Sequence, residues 1–322
     1  MSQLSYQIPN FNHPGVDTSD VFDVVVAQTK EAEAAGFDRV TVMDHFYQLP
    51  GIGAHDEAMI EAYTLLSALA QHTERMRLAT LVTGNTYRNP AMLAKIITAL
   101  DIVSHGRATL GIGAGWYELE HAAMGFEFGT FSDRFERLEE ALQIIIPLLR
   151  GETATLEGER YRVRDFVNSP PPVSKIPIMI GGSGEKKTLR MVAQYADESN
   201  LVGLRRPAEI APKLEALDGH CERLGRDRSE IRVTLLVAAN IAPTMEEADD
   251  ALRATLTHKG LPEEMFDVVK GMLAHGDPDT VGEQLTAFHA AGLDGLDCSL
   301  MMCGHIPGRI SMLGEVARNV IG

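Results

Sequence analysis

The sequence is short of positive charge, and this argues against one class of partner. It has 29 lysines and arginines against 45 aspartates and glutamates, which gives a net charge of −16 at pH 7. A protein that binds nucleic acid needs a cationic surface that displaces counterions from the phosphates. We therefore expect no nucleic-acid partner. A small anionic ligand stays compatible with this composition, because a binding site has its own local field.

Cysteine and long apolar runs are scarce as well. Three cysteines in 322 residues do not form a disulfide framework and are typical of a reducing compartment. No run approaches the roughly 18 apolar residues of a membrane span, and the densest, 142–149, contains Gln143 and Pro147. The first residues lack the basic and then apolar pattern of a secretory signal. The sequence predicts a soluble, cytoplasmic protein without a membrane partner.

Short apolar runs alternate with helical patterns along the whole chain. The eight candidate strands are Leu4–Ile8, Arg39–Met43, Met76–Thr83, Arg107–Gly113, Ile178–Ile180, Ser199–Val202, Arg232–Ala239 and Gly295–Leu300. Strands separated by helices of this length form parallel βαβ units, and eight is the strand number of a TIM barrel. We therefore predict an α/β fold in which residues 1–322 form one (β/α)8 barrel domain.

Residues suited to helix ends support this alternation. Ser19 is suited to cap a helix that Gly36 would end. Near the other end of the chain, Asp277 is suited to cap a helix with Pro278 in its first turn, and Gly292 would end it. Each predicted helix is thus bounded on both sides.

Two segments interrupt the pattern. Residues 151–177 alternate apolar and polar side chains and then run into Ser-Pro-Pro-Pro at 169–172, which predicts an inserted hairpin and a stiff connector after the fourth strand. Residues 241–277 hold two helical patterns around Gly-Leu-Pro at 260–262. They predict a helical excursion after the seventh strand.

The residues that follow each strand are the candidates for chemistry, because the loops of a barrel converge at that rim. Asp44 and His45 follow the second strand. Histidine transfers protons near neutral pH, and a neighbouring carboxylate helps to fix its charge state. The alternative is a turn in which Asp44 caps a helix and His45 has no role. No second histidine lies nearby at a metal-binding spacing, so we predict no metal site here.

Glycine-rich loops follow the third and fourth strands. Residues 81–90, Leu-Val-Thr-Gly-Asn-Thr-Tyr-Arg-Asn-Pro, predict either an irregular loop with backbone groups free for a ligand or a plain turn before a helix. Three glycines alternate within 111–115, which lets a flat ring or a phosphate approach the backbone; relief of crowding between strands is the other explanation. The dinucleotide motif GxGxxG fails, because Trp116 or Glu118 stands where its third glycine would be.

The loop after the fifth strand predicts an anion site. Ile-Gly-Gly-Ser-Gly at 180–184 precedes a helical pattern that carries Lys186 and Lys187. Backbone N–H groups at a helix N-terminus, with Ser183 as its cap, bind anions. The alternative is a capped helix with solvated lysines. The phosphate-binding Walker motif does not fit this spacing.

Two features near the last strand carry less weight. Cys298, Cys303 and His305 could suggest a metal, but they lack a fourth ligand and have unusual spacing. The pair Met301-Met302 is more typical of apolar lining than of cofactor chemistry.

Taken in order, the strings at 44–46, 81–90, 111–118 and 180–188 resemble the F420-dependent branch of the luciferase-like monooxygenase superfamily. The resemblance implies a deazaflavin, coenzyme F420, across the mouth of the barrel, with FMN as the alternative cofactor. The residues that it implies at the cofactor are Asp44, His45, Leu81, Val82, Thr83, Gly113, Ala114, Gly115, Trp116, Gly181, Gly182, Ser183 and Gly184. Of these, the glycines and serine at 182–184 would receive the cofactor phosphate. Similar proteins have a non-prolyl cis peptide that ends the third strand, which aligns with Leu81–Val82.

The resemblance also implies an activity. Hydride would pass between F420 and a small organic substrate, while His45 gives or takes the proton and Asp44 positions the cofactor and the imidazole. Family members that oxidise sugar phosphates have a glutamate where Trp116 stands, so reduction of an apolar or aromatic acceptor fits better. The resemblance further implies a homodimer. The alternatives are an FMN-dependent monooxygenase served by a separate flavin reductase, a non-catalytic flavin-binding barrel and, last, a metal-dependent barrel hydrolase.

Overall fold

The computed structural model describes residues 2–322, and its centre is a sheet that closes on itself. The strands are β1 (Gln3–Ile8), β2 (Arg39–Val42), β3 (Arg77–Thr80), β4 (Thr83–Gly84), β5 (Leu110–Gly113), β6 (Thr153–Glu157), β7 (Arg162–Val167), β8 (Ile178–Gly181), β9 (Glu198–Leu201), β10 (Arg232–Ile241), β11 (Ala274–Gly276) and β12 (Gly295–Ser299). The helices are α1 (Val21–Ala34), α2 (Ala62–Leu69), α3 (Pro90–Val103), α4 (Glu118–Met124), α5 (Phe131–Leu149), α6 (Thr188–Tyr195), α7 (Ala211–Leu224), α8 (Met245–His258), α9 (Phe266–Lys270), α10 (Pro278–His289) and α11 (Arg309–Ile321).

The strands of the central sheet are all parallel. Their order is β3-β2-β1-β12-β10-β9-β8-β5-β4. Because β3 and β4 are consecutive in the chain, this order returns to its starting point, and a bridge between Leu78 and Ala108 joins the two edges. The predicted (β/α)8 barrel is confirmed. Each of the eight predicted strands has a counterpart in the sheet.

The third barrel strand differs from the prediction because it is split. The Leu81–Val82 peptide between β3 and β4 is cis, as the resemblance implied. The sequence also missed β11, which extends the sheet beside the end of β10, where Ala239 pairs with Ala274. A strand of three residues is too short to produce an alternating pattern that can be recognised.

The helix caps were predicted correctly in one case and wrongly in the other. Asp277 caps α10, since its carboxylate accepts a hydrogen bond of 2.8 Å from Thr280 N. Ser19 does not cap α1: it lies within a 3₁₀ turn at Thr18–Asp20, and α1 has no side-chain cap. Two polar residues flank Ser19, so the sequence offered several candidates for one position.

Both predicted insertions are present. After β5 and two helices, β6 and β7 form an antiparallel hairpin, and α8, α9 and β11 occupy residues 241–277. The hairpin turn is held to α5 by Glu140, whose carboxylate accepts hydrogen bonds from the backbone N–H groups of residues 159–161. The hairpin therefore braces α5, the helix that forms one wall of the cavity described below.

A buried layer of charged side chains fills the amino-terminal half of the barrel. Arg39, the first residue of β2, has no exposed surface and donates to Glu198 at 2.6 Å and to Asp297 at 3.4 Å. Asn200 donates to the other oxygen of Asp297 at 2.9 Å. Because Asn200 also lines the cavity at the carboxyl ends of the strands, this layer supports the floor of that cavity. No helix between residues 2 and 322 has the length and hydropathy of a membrane span.

Candidate active site

A cavity of about 630 Å³ opens at the carboxyl ends of the barrel strands. This volume lies within the roughly 300–1,000 Å³ of small-molecule and cofactor sites. Eleven of the thirteen cofactor residues implied by the resemblance line it: Asp44, His45, Leu81, Val82, Thr83, Gly113, Ala114, Gly115, Trp116, Gly181 and Gly182. Ser183 and Gly184 lie outside this lining. Residues from the ends of four barrel strands thus meet in one place, although the sequence separates them by up to 138 positions (from 44 to 182).

An aromatic group forms one side of the cavity. The His45 ring contacts the rings of Trp116 and Tyr117 edge to face, with centroids 5.8 Å and 5.9 Å away. Trp116 stacks on Tyr117 and keeps 58% of its surface exposed. A flat, exposed indole at the mouth is suited to contact a ring system that enters the cavity.

His45 is oriented by Glu120, a residue that sequence reasoning missed. Its Nδ1 lies 2.8 Å from Glu120 Oε2. The Glu120 carboxylate is buried and also accepts hydrogen bonds from Phe46 N, Tyr47 N and Tyr87 Oη. Burial raises the pKa of Glu120, but the hydrogen bond and charge of His45 and the other donors outweigh this and bring the pKa below its ordinary value. Glu120 is therefore a carboxylate at neutral pH.

Asp44 has a different partner from the one expected. Its carboxylate forms a two-pronged ion pair with Arg88, at 2.6 Å and 2.9 Å, and Arg88 also reaches Glu61 at 2.8 Å. Burial raises the pKa of Asp44, and Arg88 opposes this rise. The expectation that Asp44 positions the imidazole is therefore corrected: the hydrogen bond to His45 comes from Glu120. Sequence proximity suggested Asp44, whereas Glu120 lies 75 residues away.

Val82 and two glycines form the floor. A β-carbon placed on Gly181 would lie 2.8 Å from Val82 Cγ1, and one placed on Gly113 would lie 3.0 Å from Val82 Cγ2. Gly111 has another reason to be glycine, since its β-carbon would lie 2.0 Å from the carbonyl oxygen of Thr80. Relief of crowding thus accounts for both positions: Gly111 makes room for the Thr80 carbonyl group, and Gly113, which also lines the cavity, makes room for Val82.

The loop at 182–184 is built differently from the capped helix that was predicted. Ser183 Oγ donates to Val202 O at 2.7 Å and accepts from Val202 N at 2.9 Å. Helix α6 begins only at Thr188 and has no side-chain cap, so Ser183 is not its cap. Gly182 N donates to Asn200 O. Within residues 2–322, the backbone N–H groups of Ser183 and Gly184 have no acceptor, which leaves two donors for an anion.

The far wall of the cavity comes from α5 and the loop after β2. Phe131, Phe135 and Leu138 project from α5, and Leu49 and Ile52 from the loop. The sequence predicted apolar helix faces but gave no indication of which helix end would cover the barrel mouth, since that depends on the packing of the hairpin. Met301 also lines the cavity, in agreement with its interpretation as apolar lining.

The cysteines take no part in the site. Cys221, Cys298 and Cys303 are free and buried, and burial raises the pKa of the Cys303 thiol to about 11. Among residues 2–322, no cluster of three or more His, Cys, Asp or Glu side chains is arranged to hold a metal ion.

The parallel barrel and the cavity at its carboxyl rim define a TIM-barrel protein with a ligand site at the usual position of this fold. The family model described as luciferase-like monooxygenase matches residues 2–295. The chain belongs to this family.

Individual relatives agree with this assignment. An F420-dependent glucose-6-phosphate dehydrogenase from Microbacterium testaceum is 34% identical over 226 residues, 70% of this chain and 65% of the relative. A pyrimidine monooxygenase from Rhizobium rhizogenes is 32% identical over 237 residues, 70% of this chain and 61% of the relative. The chain thus spans less than two thirds of either. The structure of an F420-dependent secondary alcohol dehydrogenase superposes with a TM-score of 0.81 at 20% identity and covers 99% of both chains.

Proposed function

We propose that this chain is an F420-dependent oxidoreductase that transfers a hydride between the deazaflavin and a small organic substrate, in the direction of substrate reduction. The observation that carries this proposal is the slot above Val82. Gly113 and Gly181 leave room for the Val82 side chain that forms its floor, and His45 and Trp116 line the cavity beside it. The F420-dependent relative supports the choice of cofactor.

The residues present fit a tricyclic ring with a phosphate. The ring would lie against the Val82 side chain, for which the missing β-carbons of Gly113 and Gly181 leave room. The free N–H groups of Ser183 and Gly184 would hold the phosphate, because exposed backbone donors in a loop before a helix favour anions. When bound, the cofactor supplies the hydride chemistry, while the barrel supplies placement and electrostatics.

His45 would move the accompanying proton. Its Nδ1 is engaged by Glu120, so Nε2 is the atom left for the substrate. A histidine within reach of the reacting group contributes roughly 10²- to 10⁴-fold to a rate by acid–base catalysis. Asp44, held by its ion pair with Arg88, would shape the cavity beside the ring.

The substrate we propose is an uncharged apolar or aromatic acceptor. The lining is dominated by apolar side chains, among them Leu49, Ile52 and Phe131. The cation that does line the cavity, Arg134, already donates to the carbonyl groups of Gly115 and Gly129. Such a surface gains from burying apolar groups and offers little to compensate for the desolvation of a sugar phosphate.

The experiment is an absorbance assay of reduced F420 oxidation against enones, quinones and nitroaromatics. The contrasting assay follows the reduction of oxidised F420 by glucose 6-phosphate. We expect oxidation of reduced F420 by at least one apolar acceptor and no activity with the sugar phosphate. Activity with glucose 6-phosphate alone would contradict the proposed substrate class, and no turnover with F420 in either direction would contradict the proposed activity.

The second candidate function is an FMN-dependent monooxygenase, which the pyrimidine monooxygenase relative favours. The same slot would accept an isoalloxazine ring. Oxygen consumption by the protein with FMN and a separate flavin reductase, dependent on an organic substrate, is the outcome that would support this alternative.

A further inference from the structure

We propose that Glu120 is the positioning residue for His45: it holds the neutral imidazole in the tautomer that carries its proton on Nδ1, so that Nε2 is the nitrogen that takes up a proton from solvent and, in the resulting imidazolium, donates it to the substrate. This inference rests on the proposed function in one respect, namely that His45 is the proton carrier. The tautomer itself is a property of the protein alone.

The hydrogen bonds to Glu120 determine the tautomer. Oε1 accepts the N–H groups of Phe46 and Tyr47, and Oε2 accepts Tyr87 Oη and faces His45 Nδ1 at 2.8 Å. An ionised carboxylate can only accept hydrogen bonds. The proton of this contact must therefore come from Nδ1, and the neutral ring has its lone pair on Nε2.

The charge of Glu120 is fixed by its surroundings. The side chain has no exposed surface, and all the donors named above point at its two oxygens. A buried carboxylate with this many donors stays ionised, since each donor stabilises the charged form. Two of the donors belong to the backbone that follows β2. Glu120 thus fixes both the orientation of the His45 ring and the path of the backbone that follows His45.

Helix α4 holds Glu120 in place through the next residue. His121 is buried. Its Nδ1 lies 2.8 Å from Tyr117 O, and its Nε2 lies 2.6 Å from Thr86 Oγ1. The first turn of α4 is therefore tied to the loop after β4. Because this anchoring does not involve Glu120, a change at Glu120 can leave the helix where it is.

Glu120→Gln is the informative variant because it keeps the shape and removes the charge. Its amide oxygen can still accept the backbone N–H groups of Phe46 and Tyr47, while its NH₂ group would face His45 Nδ1 as a donor. Nδ1 must then accept, so the proton moves to Nε2. Glu118→Gln is the matched control, since Glu118 lies in the same turn but is exposed.

The first readout is the ¹⁵N NMR spectrum of the imidazole in the protein without substrate. We expect protonated Nδ1 and unprotonated Nε2 in the wild type and in Glu118→Gln, and the reverse in Glu120→Gln. The wild-type spectrum tests the inference even where the variant does not fold: a neutral His45 that carries its proton on Nε2 overturns it. The same tautomer in wild type and Glu120→Gln overturns it as well.

The second readout is the pH profile of F420-dependent turnover. The charged or titratable groups near His45 or its partners are Asp44, Glu61, Tyr87, Arg88, Tyr117 and Glu120. Loss of the carboxylate removes the ionic partner of the charged imidazole, so we expect the pH profile of kcat/KM in Glu120→Gln to differ from that of the wild type and of Glu118→Gln. We expect kcat to fall roughly 10²- to 10⁴-fold with little change in KM, and Glu120→Asp to restore part of it.

The two proposals fail in different ways. A wild-type protein that neither binds nor turns over F420 contradicts the proposed function, whereas the imidazole spectrum still reports on Glu120. A wild-type protein that turns over F420, with an unchanged pH profile in Glu120→Gln, contradicts the positioning role only.

Discussion

Val82 and Gly181 face each other across the cavity floor, so closely that a β-carbon on Gly181 would lie 2.8 Å from Val82 Cγ1. Side-chain atoms do not approach a β-carbon to this distance without a shift. The glycine and the branched valine therefore form a complementary pair: the valine side chain forms the surface of the cavity floor, and the glycine leaves the space that this side chain needs. The same valine contacts the position of a β-carbon on Gly113.

This pair predicts a rescue experiment. Gly181→Ala should push Val82 into the slot and weaken F420 binding by about tenfold or more, which corresponds to about 1.4 kcal/mol. Val82→Ala in the same chain should recover much of the loss, because it removes the atoms that the new methyl group meets. Gly219→Ala on α7 is the control. The measurement is the Kd for F420 in all four proteins, and equal affinities would show that the slot is not the cofactor site.

The role of His45 predicts a separation of binding from turnover. His45→Ala should abolish F420-dependent turnover while leaving the Kd for F420 within a few-fold of the wild type, because the ring rests on Val82 and the glycines. His72→Ala, at an exposed histidine, should behave like the wild type. Steady-state kinetics and a binding titration check this together. Undiminished turnover in His45→Ala would remove the proton-transfer role.

The buried charge layer predicts a large loss of stability. Arg39→Met leaves the buried Asp297 without a cation and Glu198 with Arg232 alone, and breaking a buried pair in this way costs about 3–5 kcal/mol. Arg232 contacts the same Glu198 at 3.2 Å but is 41% exposed, so Arg232→Met should cost no more than about 1 kcal/mol. Urea unfolding measures both. Similar losses in the two variants would mean that burial does not govern this network.

His13 predicts acid sensitivity of the fold. It is buried and stacks on His305 at 4.6 Å; burial, together with His305, Lys259 and His258, lowers its pKa to about 3. The unfolded chain takes up this proton from about pH 6.5 downward, whereas the folded chain takes it up only near pH 3. Stability should therefore fall as the pH decreases through this window, by up to roughly 5 kcal/mol, at about 1.4 kcal/mol per pKa unit.

The check is the free energy of unfolding between pH 3.5 and 7. His13→Gln should flatten the dependence on pH relative to the wild type, whereas the exposed His72→Gln should not. An equally steep dependence in His13→Gln would assign the acid sensitivity to other groups.

The sequence predicted the barrel because its signals are local. Each strand is a short apolar run, and each interval has helical spacing, so the βα alternation could be read without long-range information. The sequence also predicted part of the site, namely Asp44, His45, Gly113 and Gly181. These residues lie at or directly after strand ends, and the strand ends converge in a barrel.

What the sequence could not supply was the pairing of side chains across the cavity. Glu120 reaches His45 from a helix that begins after a different strand, and nothing in Glu-Leu-Glu-His indicates which carboxylate is buried. Ser183 was predicted as a helix cap because of its position before a helix, yet its hydroxyl joins Val202 of the next strand end. Both errors came from assigning partners by proximity in the chain.

We propose above all that the cavity over Val82 binds F420 in preference to FMN. The most direct measurement is a titration of the purified protein with each cofactor separately, followed by the change in cofactor absorbance or fluorescence. We expect saturable binding of one F420 per chain at a lower concentration than FMN, and weaker binding in Gly181→Ala. Tighter binding of FMN, with no saturable binding of F420, would contradict this proposal.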